Sequence, residues 1–172
     1  MKRAINIALI SLLLAGCVTS RQLQEQSTIG PFTQFSGRLI IIDSAHRWQV
    51  LIDWNGTPES GSARLTHGAS NRIVNIQWRQ DRIRLQDNLD PARQWRNVSA
   101  DELQKQGIIL PPAAIARILS GDMPASLSSK HQNEWEGAIG DTSVRIRWFP
   151  DSKRLELTDV SHGRKAILII TS

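Results

Sequence analysis

The chain has 172 residues, 40% of them hydrophobic and 22% charged, which suits one ordinary globular domain and excludes an intrinsically disordered chain. A single cysteine excludes an intramolecular disulfide framework and any multi-cysteine metal site. The 11 glycines and 7 prolines exclude collagen-like and low-complexity classes, and the formal charge of +5 must be located before it is read.

Part of that charge lies at the start. Lys2 and Arg3 form a positive n-region, and residues 4–15 are apolar except for Asn6 and Ser11. This stretch is too short to span a bilayer, which takes about 20 apolar residues, and it has the dimensions of a secretory h-region. It ends in Leu14-Ala15-Gly16-Cys17, which resembles the lipobox of bacterial lipoproteins. The resemblance implies a signal peptide over 1–16 and lipidation of Cys17, the only cysteine. Loss of Lys2 and Arg3 lowers the formal charge from +5 to +3, so the mature chain is only mildly basic. Two or more acyl chains give lasting attachment, at about 0.8 kcal/mol per buried methylene. Val18 stands where an aspartate, in enterobacterial sorting, retains a lipoprotein in the inner membrane; outer-membrane localisation facing the periplasm of a Gram-negative cell is therefore expected.

Residues 17–31 read as a lipidated tether or short helix, polar at Arg21-Gln22-Leu23-Gln24-Glu25-Gln26 and closed by Gly30-Pro31. The domain is expected over 32–172. Residues 35–43, 47–54, 62–65, 72–78 and 82–86 read as strands, being rich in β-branched residues or Trp and separated by turn residues. Trp48, Val50, Ile52 and Trp54 share one strand face, as do Val74, Ile76 and Trp78, the period-two pattern of half-buried antiparallel strands.

Ser99-Ala100-Asp101-Glu102 forms a capping box, predicting a short helix that stops at Gly107. Pro111-Pro112 opens a second helix, with Ile115, Ile118 and Leu119 on one side and Gly121 at its end. Residues 135–139, 143–149, 154–158 and 165–170 complete the strands. The predicted fold class is α+β: one curved antiparallel sheet of about nine to eleven strands with a lid of short helices. So wide a sheet curls, and its concave face needs cover. Trp48, Val50, Ile52, Trp54, Trp78, Trp95, Ile115, Ile118, Leu119, Trp135 and Trp148 are the candidates that either wall a hydrophobic cavity or fill a dry core.

Several motifs in this order resemble the LolB family of outer-membrane lipoprotein receptors. They are Phe35-Ser36-Gly37-Arg38-Leu39, the Trp48–Trp54 strand, and Ser99-Ala100-Asp101-Glu102-Leu103. Gly107-Ile108-Ile109-Leu110-Pro111, Ile118-Leu119-Ser120-Gly121-Asp122-Met123-Pro124, Trp135 and Arg154-Leu155-Glu156-Leu157-Thr158-Asp159 follow. The resemblance implies an incomplete β-barrel with a helical lid, the fold shared with the periplasmic carrier LolA. It also implies a function: accepting acylated lipoproteins from a LolA-like carrier and inserting them in the outer membrane, as a monomer without a cofactor. The family carries an exposed leucine on an early loop. The corresponding membrane-insertion candidates here, His67, Gly68 and Ala69, continue into Ser70-Asn71 with no large apolar side chain. The second function class is an envelope scaffold of the same fold without transfer activity.

Enzymatic readings have little to stand on. His46, His67, His131 and His162 are scattered, and the His131–Glu134 spacing lacks further metal ligands. No Gly-x-Ser-x-Gly elbow or phosphate-binding Gly-x-x-x-x-Gly-Lys-Ser/Thr loop occurs. Asp151, Ser152 and His162 are the residue types of a triad without its motif. The export signal argues against nucleic-acid binding despite a sequence pI near 10.1. No enzyme, metal or cofactor is expected.

Overall fold

A computed structural model describes residues 29–92 and 94–172. The expected signal peptide, Cys17 and most of the tether lie outside the described residues. Eleven strands form one antiparallel sheet: β1 Gln34–Ile42, β2 Arg47–Gly56, β3 Ser60–His67, β4 Arg72–Arg79, β5 Arg82–Asp87, β6 Arg96–Val98, β7 Leu127–His131, β8 Glu134–Ile139, β9 Thr142–Phe149, β10 Arg154–Asp159 and β11 Arg164–Ile170. Two helices, α1 Ala100–Lys105 and α2 Pro112–Leu119, lie between β6 and β7 in the chain. No helix among the described residues is long and apolar enough to cross a membrane.

The strand order is β6-β5-β4-β3-β2-β1-β11-β10-β9-β8-β7. The pairing of β1 with β11 joins the two ends of the domain sequence at the centre, with Leu39 opposite Leu168 and Ile41 opposite Ala166. Every other neighbour pair is consecutive in sequence. The edges β6 and β7 are not paired with each other, so the sheet is not closed. They are joined in the chain by residues 99–126, which carry both helices from one edge to the other.

Alternation builds the core. In β2 the pattern is regular, with Val50, Ile52 and Trp54 buried and Gln49, Leu51, Asp53 and Asn55 exposed. Side chains from Val98 at one edge and Leu127 at the other join the same core as Leu103, Ile118 and Leu119. Eleven strands laid flat would span about 48 Å at the usual interstrand spacing. One core fed from both edges therefore requires a sheet bent around the helix-bearing crossover.

The nine strand segments located from sequence each have a counterpart, and both helices begin where their caps place them. Ser99 Oγ accepts from the Glu102 N–H at 3.1 Å, and Gly107 takes φ +90° just beyond α1. The unlocated strands are the edges β6 and β7. The sequence of β6, Arg-Asn-Val, is too short to show alternation, and β7 is exposed along Ser128–His131. The expected domain start at residue 32 needs correction: Ile29 is 1% exposed within the core, and the Phe32 N–H donates to the Leu119 carbonyl at 2.8 Å. The last residues assigned to the tether are thus part of the packed unit.

Candidate functional site

Beneath the crossover lies an apolar hollow of about 60 Å³. Its floor comes from the four central strands: Leu39 and Ile41 of β1, Ile52 and Trp54 of β2, Leu155 and Leu157 of β10, and Ala166 and Leu168 of β11. Its roof is Gly107, Ile108 and Ile109 between the helices and Ile115 of α2. Ile108 and Ile115 are half-buried, so the roof is thin there. Trp54, 4% exposed, carries an indole N–H with no acceptor among the described residues, an unspent donor on a residue of the wall.

The volume limits what this state holds. The hollow is several times smaller than the about 300–1,000 Å³ of ordinary ligand pockets. An acyl chain does not fit without displacement of the roof.

The roof is fastened by polar contacts at α1. Gln104 Nε2 donates to Thr142 Oγ1 of β9 at 2.7 Å, and the Gln104 carbonyl accepts from Arg164 Nη1 of β11 at 2.6 Å. Arg164 is oriented by Asp159, to which Nη2 donates at 2.6 Å. Asp159 is fully buried and also accepts from the His162 N–H at 3.1 Å. Burial pushes the Asp159 carboxyl up, but the hydrogen bonds from Arg164 and His162 outweigh it and hold the group below the usual aspartate range.

Of the residues proposed from sequence as cavity wall, Ile52, Trp54 and Ile115 line the hollow. Val50, Trp78, Ile118, Leu119 and Trp148 are buried core, and Trp48 and Trp135 pack half-buried against it. Trp48 stands beside the rim, with Cζ2 about 3.5 Å from where a Cβ on Gly107 would sit. Trp95 requires correction: it borders a groove on the opposite face with Asp53, Arg64 and Gln77, under the Arg84 guanidinium. It precedes β6 in irregular chain, where no alternation assigns a face. Size misled the sequence reading in part: Trp78, Trp135 and Trp148 pack in the wings, whereas Trp54 is the one tryptophan lining the hollow, whose floor is otherwise aliphatic. Sequence reasoning missed Leu39, Ile41, Leu155, Leu157, Ala166 and Leu168. Their alternation was visible, but only the β1–β11 pairing shows that they share a floor.

The remaining candidates lie elsewhere. His67 ends β3, and Gly68 and Ala69 are exposed in the following turn, where His67 Nδ1 and Ser70 Oγ are 2.8 Å apart. Asp151 and Ser152 precede β10 and His162 follows it, so about 20 Å of strand separates them. Glu134 and Glu136 are half-buried and paired with Arg147 and Arg145 across β8 and β9. Among the described residues, no group of three or more His, Cys, Asp or Glu side chains is arranged to hold a metal.

The fold and site together define an open antiparallel sheet bent around a helical crossover, with a small apolar hollow between them. No protein-family model matches the chain, and no curated protein matches it.

Proposed function

We propose that the chain is an outer-membrane-anchored lipoprotein of LolB type: a non-enzymatic receptor that takes acyl chains of lipoproteins from a periplasmic carrier and releases them to the membrane. The observation that carries this reading is the apolar hollow under the crossover that links the two free edges of the sheet. In this reading the fold is the incomplete barrel with helical lid that the sequence resemblance implies, and Cys17 carries the anchor. Because the sheet is not closed, the crossover can move out without breaking any strand pair; the contacts at Gln104 and the apolar roof must give way. Each methylene admitted gains about 0.8 kcal/mol, which offsets the loss of those contacts. The alternative is a scaffold of the same fold with a permanently shut interior, favoured by the small volume of the hollow.

Titration of the full chain with a fluorescent fatty-acid analogue separates the two. The receptor reading expects saturable binding that Ile115→Trp, filling the hollow, weakens at least tenfold while thermal unfolding stays cooperative. Absence of saturable binding by the unaltered chain would leave the scaffold. Depletion in the native cell tests the transfer step: other outer-membrane lipoproteins should accumulate at the inner membrane or in the periplasm, and normal sorting would refute the receptor role.

A further inference from the structure

The outward face of the sheet differs between its two halves. On β8 to β11 it is an ion-pair ladder closed on itself, with Glu134 to Arg147, Glu136 to Arg145 and Glu156 to Lys165. On β2 to β5 there is no Lys or Glu at all. Two cross-strand rows of other polar groups stand there instead. One runs Ser36, Asp53, Arg64, Asn75 and Gln86. The other runs Gln34, Asn55, Ser62, Gln77, Arg84 and Asn97.

The parts of these rows on β1 to β4, Ser36, Asp53, Arg64 and Asn75 with Gln34, Asn55, Ser62 and Gln77, bed an open groove of about 690 Å³, bordered on one side by Trp95 and on another by Ser172. Asp53 accepts from Ser36 Oγ at 2.7 Å, and Asn75 donates to Gln86 at 3.2 Å, so part of the floor is held in place. Arg64 makes no ion pair among the described residues. Trp95, half-buried, is oriented by the Arg84 guanidinium 5.5 Å from its ring centre.

We infer that this groove is a binding site for an oligosaccharide. Amide side chains both donate and accept, as vicinal hydroxyls require, and a guanidinium presents a planar fork of donors. An indole offers a flat apolar face to the C–H side of a sugar ring while its N–H remains polar. The rows repeat at the interstrand spacing of about 4.8 Å, comparable with one pyranose ring, so successive strands can address successive sugars. The site lies on the face opposite the hollow and does not rest on the acyl-binding reading.

Calorimetric titration of the full chain with chitohexaose, maltohexaose and an oligogalacturonate tests the assignment. At least one should bind saturably, a neutral sugar or the uronate distinguishing which saccharide class the groove takes. Trp95→Ala should weaken that binding at least tenfold and Gln77→Ala severalfold, with Lys130→Ala on β7 as an unchanged control. Far-UV circular dichroism of each variant checks its fold, and the exposed Gln77 keeps the test valid if Trp95→Ala misfolds. Failure of all three sugars to bind would overturn the proposal. So would binding indifferent to both substitutions, or binding shared equally by polyglutamate and abolished by salt, which would mark a charge surface only.

Discussion

Trp78 lies where two glycines let it lie. A Cβ on Gly56 or Gly61 would come within 2.2 or 2.3 Å of the Trp78 ring at Cζ2, and in this seat the indole N–H donates to the Thr57 carbonyl at 2.9 Å. The ring packs at a tilt against Trp54, 4.7 Å between centres, and Trp54 stacks on Phe35 at 6.0 Å. Gly61→Ala should therefore push this aromatic row out of register and destabilise by about 1–3 kcal/mol, measured by urea unfolding with a shift in tryptophan emission. Gly30 is more constrained: at φ +85° a Cβ would sit 2.0 Å from the Leu119 carbonyl oxygen. Gly30→Ala combines that collision with a left-handed backbone and should cost about 2 kcal/mol or more, read from the same unfolding curves. An unchanged midpoint would mean that residues 29–32 do not hold the end of α2.

Among the elements, α1 is the one whose position depends on polar contacts. With six residues it has little helical stability of its own, and Leu103 is its one buried side chain. Gln104 and Arg164 decide where it rests. Arg164→Ala frees the Gln104 carbonyl and leaves Asp159 buried without its main partner. A loss of about 2–3 kcal/mol is expected, somewhat below the figure for a fully buried pair because Arg164 reaches solvent in part. Gln104→Ala should cost less, yet speed amide exchange in α1 and residues 107–109 if the contact fastens the roof. The pH dependence follows from the depressed Asp159 pKa. The contribution is complete above the unfolded pKa, about 3.9, and falls away as pH drops through the lower folded value. Chemical denaturation between about pH 5 and pH 2 should show this loss, and Asp159→Asn should remove that component of the slope.

For the molecule as a whole, the open sheet matters more than any single contact. Its edges are three-residue β6 and the exposed β7, short or polar ends that present little template for further pairing. Among the described residues the apolar face is covered by the crossover together with Ile29 and Phe32, so accessibility of the interior is set by these segments rather than by the sheet. The proposed attachment at Cys17 concerns the whole molecule too. Metabolic labelling with radioactive palmitate should mark the wild-type chain and not Cys17→Ser, and the variant should leave the membrane fraction; label retained by the variant would rule out Cys17 as the lipidated residue.

What the sequence determined by itself is local. β-Branched or Trp-rich runs between turn residues, several with period-two alternation, located nine strands, the Ser99 box and Pro112 located both helix starts, and Gly107 and Gly121 their ends, because each signal acts through neighbouring backbone groups or one strand face. The tertiary structure alone decided which faces meet. Leu39 and Leu168 are 129 positions apart yet opposite each other, and no local preference encodes that pairing. It follows from burying the apolar faces of both halves of the chain in one core. The same cause put the hollow over the central strands, with a floor that is aliphatic apart from Trp54, and placed Trp95, in chain without alternation, on the outer face.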